Sequence, residues 1–309
     1  MEALWIGTRG SRLALWQADW VKSNIERRHP DLSVNLKIIH TSGDKILDVP
    51  LAAVGGKGLF VKEIEEELLE GEIDLAVHSM KDVPSDLPKG LEIGFYTAPE
   101  DPRDALVSRE GKTFKELPQG ARIGTSSLRR MSQILHARPD LRVSPIRGNV
   151  ETRLKKLEEE GLDAVIMAAA GLSRLGLEGR ITETLPLDIC LPPAGQGVLG
   201  IEIRSEEPSV RRLLSFFEDP VTRTRLAAER SFLKRLEGGC QVPIGAHATV
   251  AGGLIGLEGL VASLDGRELI RESLEGPVKE AERIGINLAE KILGKGGRKI
   301  LEEIYRNAS

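Results

Sequence analysis

The chain has 309 residues, 40% of them apolar and 29% charged, which gives room for two or three domains and a substantial buried core. A net charge of −4 argues against nucleic-acid binding by bulk electrostatics, and no apolar run approaches the roughly 18 residues of a membrane span. Two cysteines, Cys190 and Cys240, make no disulfide framework, and the five scattered histidines with no Cys-x-x-Cys give no metal-ligand spacing.

Residues Met1–Gly7 lack the basic and apolar regions of a secretory signal, so a cytoplasmic protein is expected. Leu4–Thr8 reads as the first strand, and Ser11 opens a helix through Arg28. Val34–His40 alternates as a strand. Gly58–Glu70 is an amphipathic helix with Phe60, Ile64 and Leu68 at helical spacing. Ile73–Val77 is a short buried strand. A second unit begins near Pro102. Arg122–Gly124 ends a strand, Ser126 starts a helix to about Ala137, and Arg142–Pro145 is extended. Val150–Glu160 is helical, and Ala164–Ala168 is a buried strand leading to a helix near Leu172. Pro186–Pro193 is a proline-rich crossover, and Gly200–Arg204 is a strand that returns to the first unit. A helix over Val221–Leu236 leads to Cys240. Strands follow at Gln241–Val250, Leu254–Leu264 and Leu269–Leu274, with Asp265-Gly266 as a hairpin signal. Helices over Ala281–Leu293 and Lys299–Arg306 close the chain. The alternation predicts two α/β domains, 1–98 with 198–217 and 102–193, followed by a small α+β domain with an antiparallel sheet, 220–309.

Three groupings carry chemistry. Gly7-Thr8-Arg9-Gly10-Ser11 and Gly124-Thr125-Ser126-Ser127 each follow a strand and open a helix, where free N–H groups and the helix dipole favour an anion. Taken singly, these Ser and Thr residues read as ordinary helix caps. Arg9, Arg12, Arg129, Arg130, Arg147, Arg153 and Arg174 crowd loops and helix starts, and guanidinium forks grip carboxylates bidentately, so the set points to a ligand with several carboxylates. Gly148, next to Arg147, offers close approach to the backbone. Asp82, in His78-Ser79-Met80-Lys81-Asp82-Val83-Pro84 beyond a strand end, is a candidate for proton transfer or for stabilising a cation. Lys81 beside it favours the ionised form. Gly55-Gly56-Lys57-Gly58 reads as a mobile loop over the site. Cys240, on the Gly238-Gly239 turn, is a reachable thiol rather than a packing one. A cysteine hydrolase would need a histidine base; His247 is near in sequence but has no orienting partner. A solute-binding protein for a polycarboxylate remains an alternative, against which stand the missing export signal and the third domain. A Cys190–Cys240 disulfide is disfavoured in the cytoplasm.

Thr8-Arg9-Gly10-Ser11, Gly55-Gly56-Lys57-Gly58, the segment Val77–Pro84, Gly124–Arg130, Arg147-Gly148-Asn149-Val150 and Glu237–Pro243 together, and in this order, resemble the porphobilinogen deaminase family. The resemblance implies two domains like those of periplasmic binding proteins around a cleft, and a third domain. It implies that four porphobilinogen molecules are joined into hydroxymethylbilane with loss of four ammonia molecules. A dipyrromethane cofactor would be held through a thioether on Cys240. Asp82 would be the catalytic carboxylate. Ser79, Lys81, Thr125, Ser127, Arg129, Arg130, Arg147 and Arg153 would contact the cofactor, and Arg9, Ser11, Lys57, Arg147, Arg153 and Arg174 the substrate. A pyrrole chain carrying acetates and propionates accounts for the arginines. No metal, nucleic-acid or membrane partner is implied, and a monomer is expected. Two departures stand out: Ala53 where relatives often have a second lysine, and Arg12 where many have proline.

Overall fold

A computed structural model describes residues 3–45, 58, 61–237 and 242–308. In chain order its first part has β1 (Ala3–Thr8), α1 (Arg12–Arg28), β2 (Ser33–Ile38), α2 (Lys62–Glu70), β3 (Leu75–Ser79) and β4 (Leu91–Tyr96). Next come β5 (Asp104–Ser108), β6 (Arg122–Gly124), α3 (Leu128–Ala137), β7 (Arg142–Ser144), α4 (Val150–Glu159), β8 (Ala164–Ala168), α5 (Ala169–Arg174) and β9 (Glu183–Thr184). The chain then continues through β10 (Leu199–Arg204), α6 (Pro208–Leu214), α7 (Pro220–Arg235), β11 (Ile244–Ala251), β12 (Leu254–Ala262), β13 (Leu269–Pro277), α8 (Ala281–Ile292) and α9 (Arg298–Ala308).

Contacts divide these elements into two compact units, one drawn from 1–48, 56–100 and 198–223, the other from 101–197 and 224–309. The first unit holds a five-stranded sheet in the order β2-β1-β3-β10-β4. β1 runs parallel to β2 and β3, and β10 is antiparallel to both of its neighbours, β3 and β4. The second unit repeats the scheme as β7-β6-β8-β5-β9, with β6 parallel to β7 and β8, and β5 antiparallel to β8 and β9. Its other sheet is the antiparallel meander β11-β12-β13. The architecture is therefore two α/β sheets plus a small antiparallel one.

The sequence explains the helices. Ser11 caps α1 by accepting a hydrogen bond from Ala14 N, and Ala18, Val21 and Ile25 face the sheet core with Leu4, Ile6, Val34 and Leu75. Arg27 and Arg28 lie in its last turn, where cations suit the dipole. α2 buries Ile64 and Leu68 against Ile39, Ile73 and Ala76, each fully buried side chain contributing about 1.5–3 kcal/mol. Gly71 ends α2 in the left-handed region at φ 79°. In the last sheet's core, Ala228 and Phe232 of α7 pack on α8 and β12 so closely that a Cβ on Gly259 would lie 2.5 Å from Phe232 Cζ.

Several boundaries differ from expectation. β4, β5 and β9 were not anticipated, although Leu91, Ile93 and Phe95 of β4 alternate with Glu92 and Gly94. α3 starts at Leu128, because Ser126 and Ser127 are spent on the turn and the cap. β13 runs on to Pro277, pairing with Leu254 at its far end. The β11–β12 connection is Gly252-Gly253, both at positive φ (57° and 79°), a two-residue hairpin turn that only glycine enters without cost. Among the described residues no helix is long and apolar enough to cross a membrane.

Candidate functional site

In the first unit the expected residues sit where parallel strands end. Gly7 of β1 is level with Ala76 of β3, so Arg9 and Ser11 beyond β1 and Ser79, Lys81 and Asp82 at and beyond β3 leave the sheet along the same edge. This is the edge at which open α/β sheets present ligand groups. Met80–Asp82 form a single 3₁₀ turn, closed by Val83 N donating to Met80 O at 3.3 Å and held to the sheet by Met80 N donating to Val198 O at 3.0 Å. Met80 is buried, Lys81 half-buried and Asp82 exposed, so the turn inserts its apolar residue and offers its two charges. Ser11 serves as a helix cap, and Arg9 is half-buried. Lys57 and most of Gly55-Gly56-Lys57-Gly58 lie outside the described residues, as does Cys240.

In the second unit, three parallel strand ends converge in the same way. Gly124 of β6 is level with Ser144 of β7 and Val165 of β8. Thr125 N donates to Ser144 O at 3.0 Å, and Ser126 Oγ donates to Ile146 O at 2.6 Å, which ties the two loops together. Ser127 caps α3 by accepting from Arg130 N, and Asn149 caps α4 by accepting from Thr152 N at 2.8 Å. Thr125, Ser127 and Arg147 thus come from neighbouring loops at one sheet edge, and Arg153 from the first turn of α4. Arg153 is oriented by its Nε donating to Gly148 O at 2.9 Å. Gly148 is also required by the loop itself: at φ 118° a Cβ would lie 2.5 Å from Thr152 Cγ2. Arg174, at the end of α5, is buried with Nη2 donating to Gly197 O at 3.2 Å.

Arg129 and Arg130 are each only 5% exposed and converge on Asp104, the first residue of β5 and itself fully buried. Arg129 Nη1 donates to Asp104 Oδ2 (2.8 Å) and to Leu191 O (2.8 Å). Arg130 donates through Nε (3.0 Å) and Nη2 (2.7 Å) to Asp104 Oδ1, and through Nη1 to Ile166 O (2.9 Å). Gln196 Nε2 adds a bond to Asp104 Oδ1 at 2.9 Å. Burial opposes the Asp104 charge, but the two guanidiniums outweigh it and hold the carboxyl far below the usual carboxylate range. Cys190 belongs to the same knot, its Sγ donating to Asp104 Oδ2 at 3.3 Å. Burial, then the Asp104 charge, pushes this thiol up to about 12, so it is neither a nucleophile nor a ready redox partner. The sequence reading missed Asp104. Its signal was the adjacent pair Arg129-Arg130 near a helix start, since two buried guanidiniums on one helical turn need a buried counterion.

Among the described residues no group of His, Cys, Asp and Glu is arranged to hold a metal ion.

Comparison with known proteins covers nearly the whole chain. Residues 4–212 match the family model "porphobilinogen deaminase, dipyromethane cofactor binding domain", and residues 224–294 match "porphobilinogen deaminase, C-terminal domain". A porphobilinogen deaminase of Pelobacter propionicus is 59% identical over 301 residues, covering 97% of each chain. One of Geobacter sulfurreducens is 58% identical over 306 residues, covering 99% of this chain and 96% of that one. Among solved structures, a TRAP periplasmic solute binding protein from Desulfovibrio salexigens superposes with a TM-score of 0.41 at 11% identity, over 70% of this chain and 72% of that one.

Proposed function

This chain belongs to the porphobilinogen deaminase family, transferases of tetrapyrrole biosynthesis, and we propose on that premise that it joins four porphobilinogen molecules into hydroxymethylbilane with release of four ammonia molecules. The observation that carries the reading is the match across both family models, one of which spans the strand-end loops and the other the Cys240 segment.

The residues fit a dipyrromethane bearing several carboxylates. Thr125 and Ser127 lie at a strand end and a helix start, where hydroxyls and backbone N–H groups suit anions, and Arg147 and Arg153 supply the charge. Cys240 would hold the group as a thioether, and when bound it supplies the pyrrole carbon that takes up the first substrate unit. Ser79 and Lys81 are read as further cofactor contacts, and Arg9, Ser11, Lys57 and Arg174 as groups for substrate carboxylates. Arg129 and Arg130 act at one remove: locked onto Asp104, they fix the first turn of α3, which Ser127 caps. Asp82, exposed at the strand end, stabilises the cation left when substrate loses ammonia and takes up the proton released from the attacked carbon. We also read the second unit as two domains, 102–193 and 220–309, on the strength of its two separate sheets, and the enzyme as a cytoplasmic monomer.

Intact-protein mass spectrometry tests the reading. Wild-type enzyme that turns over porphobilinogen should exceed the chain mass by two condensed pyrrole units, and Cys240→Ala should carry none and be inactive. A working wild type with the bare chain mass overturns it.

A further inference from the structure

The turn that carries Lys81 and Asp82 stands on a buried cluster of ionisable groups that the reaction itself does not use. His78 precedes Ser79 on β3, and Glu202 lies on β10 alongside. They are 6% and 1% exposed, and His78 Nε2 meets Glu202 Oε2 at 2.8 Å. Glu202 Oε1 is buried with no hydrogen-bond partner among the described residues. Glu65 enters the same layer from α2, which packs on β3 and β10, and it is also buried. Burial, then the Glu202 charge, raises Glu65 to about 7, with His78 opposing.

Directly across from His78 stands Gly200, and a Cβ there would fall 2.2 Å from Met80 Sδ. The turn is therefore moored twice on β10: Met80 fills the notch at Gly200, and His78 is tied to Glu202. A buried polar pair is seldom worth more than a well-packed apolar one, so stability alone does not explain one at this place. Holding a reacting group to within a fraction of an ångström does explain it.

We propose that His78 and Glu202, with Glu65 as their buried neighbour, are positioning residues for the reaction, fixing the end of β3 so that Lys81 and Asp82 keep their working geometry. The surrounding charges are committed elsewhere. Arg204, two residues along β10, is turned to Leu68 O and Ile73 O, Glu92 on β4 pairs with Arg211, and β1 carries no ionisable side chain. On α2, Glu66 only adds to the rise at Glu65. Lys81 and Asp82 remain the charges nearest in sequence.

This inference rests on the deaminase reading, and its test is steady-state turnover of porphobilinogen by holoenzyme carrying Glu202→Gln, His78→Gln, or both. Each single variant should lower kcat about 10- to 100-fold with KM within twofold of wild type, over and above whatever thermal stability the broken pair costs. The double variant should lose no more than the worse single one, because the pair acts as a unit. If Glu202→Gln does not fold, His78→Gln, which leaves the sheet's acidic partner in place, still reads the effect. Loss confined to thermal stability, loss in KM alone, or additive losses in kcat overturn the proposal. Wild-type kcat in soluble single variants does the same while leaving the deaminase reading intact, whereas a wild type without turnover removes both.

Discussion

Two guanidiniums closing on one carboxylate make Asp104 the residue on which the start of α3 in the second unit depends. Asp104→Asn keeps the shape but leaves Arg129 and Arg130 buried without a counter-charge. The expected cost is about 3–5 kcal/mol, read as a lower denaturation midpoint, with cofactor loading reduced in what folds. A variant as stable as wild type would show the pair to be indifferent to its partner. At this scale the sequence was informative about residue type and poor about direction. Arginines at helix starts suggested an anion-binding set, and Arg147 and Arg153 lie near one strand-end edge. That Arg129 and Arg130 turn inward depends on a carboxylate 25 and 26 positions earlier, which no local pattern announces. The need for Gly148 was legible as a glycine requirement, but its cause is Thr152 one turn later.

Among the elements, the hairpin between β12 and β13 is a docking device as well as a connection. Gly266, at φ 71°, lies against α3 so tightly that a Cβ would come within 2.5 Å of Ser132 O and 2.6 Å of His136 N, and His136 Nδ1 donates to Gly266 O at 2.8 Å. Gly266→Ala therefore adds a collision with helix backbone to the left-handed strain and should cost about 1–3 kcal/mol. Gly252→Ala, at φ 57° with open space around it, should cost only the backbone penalty of about 1 kcal/mol. Urea midpoints for the two variants test the order. Asp265-Gly266 was legible as a turn, but nothing local told that the turn grips a helix more than 130 residues earlier. Elements with a clear start or turn signal, α1 opened by Ser11 and the strands on either side of Asp265-Gly266, were readable. Short strands such as β5 and β9 exist because a neighbour offers an edge, and a single sequence does not display its neighbours.

For the molecule as a whole, acid and base stability are set in different units. His247, in the second unit, is depressed to about 4, first by burial and then by Arg225. Its folded pKa lies below the unfolded value of about 6.5, so its contribution is present above that value and lost as pH falls through about 4. Glu65, in the first unit, is raised to about 7, so its contribution is present below the unfolded value of about 4.3 and lost as pH rises through about 7. His247→Gln should flatten the acid side of a plot of thermal midpoint against pH, and Glu65→Gln the neutral side. Identical curves for all three proteins would remove both assignments.

The place of β10 has a consequence for how the enzyme is made. Among the described residues β4 has no sheet partner except β10, and β3 depends on the same strand for one of its two edges, yet β10 emerges from the ribosome about a hundred residues after β4. Until that late segment is translated, the first sheet waits with exposed edges, in the state that chaperones guard. A premature stop anywhere before residue 204 leaves more than a shortened protein: it strands an already synthesised half that has nothing to close on.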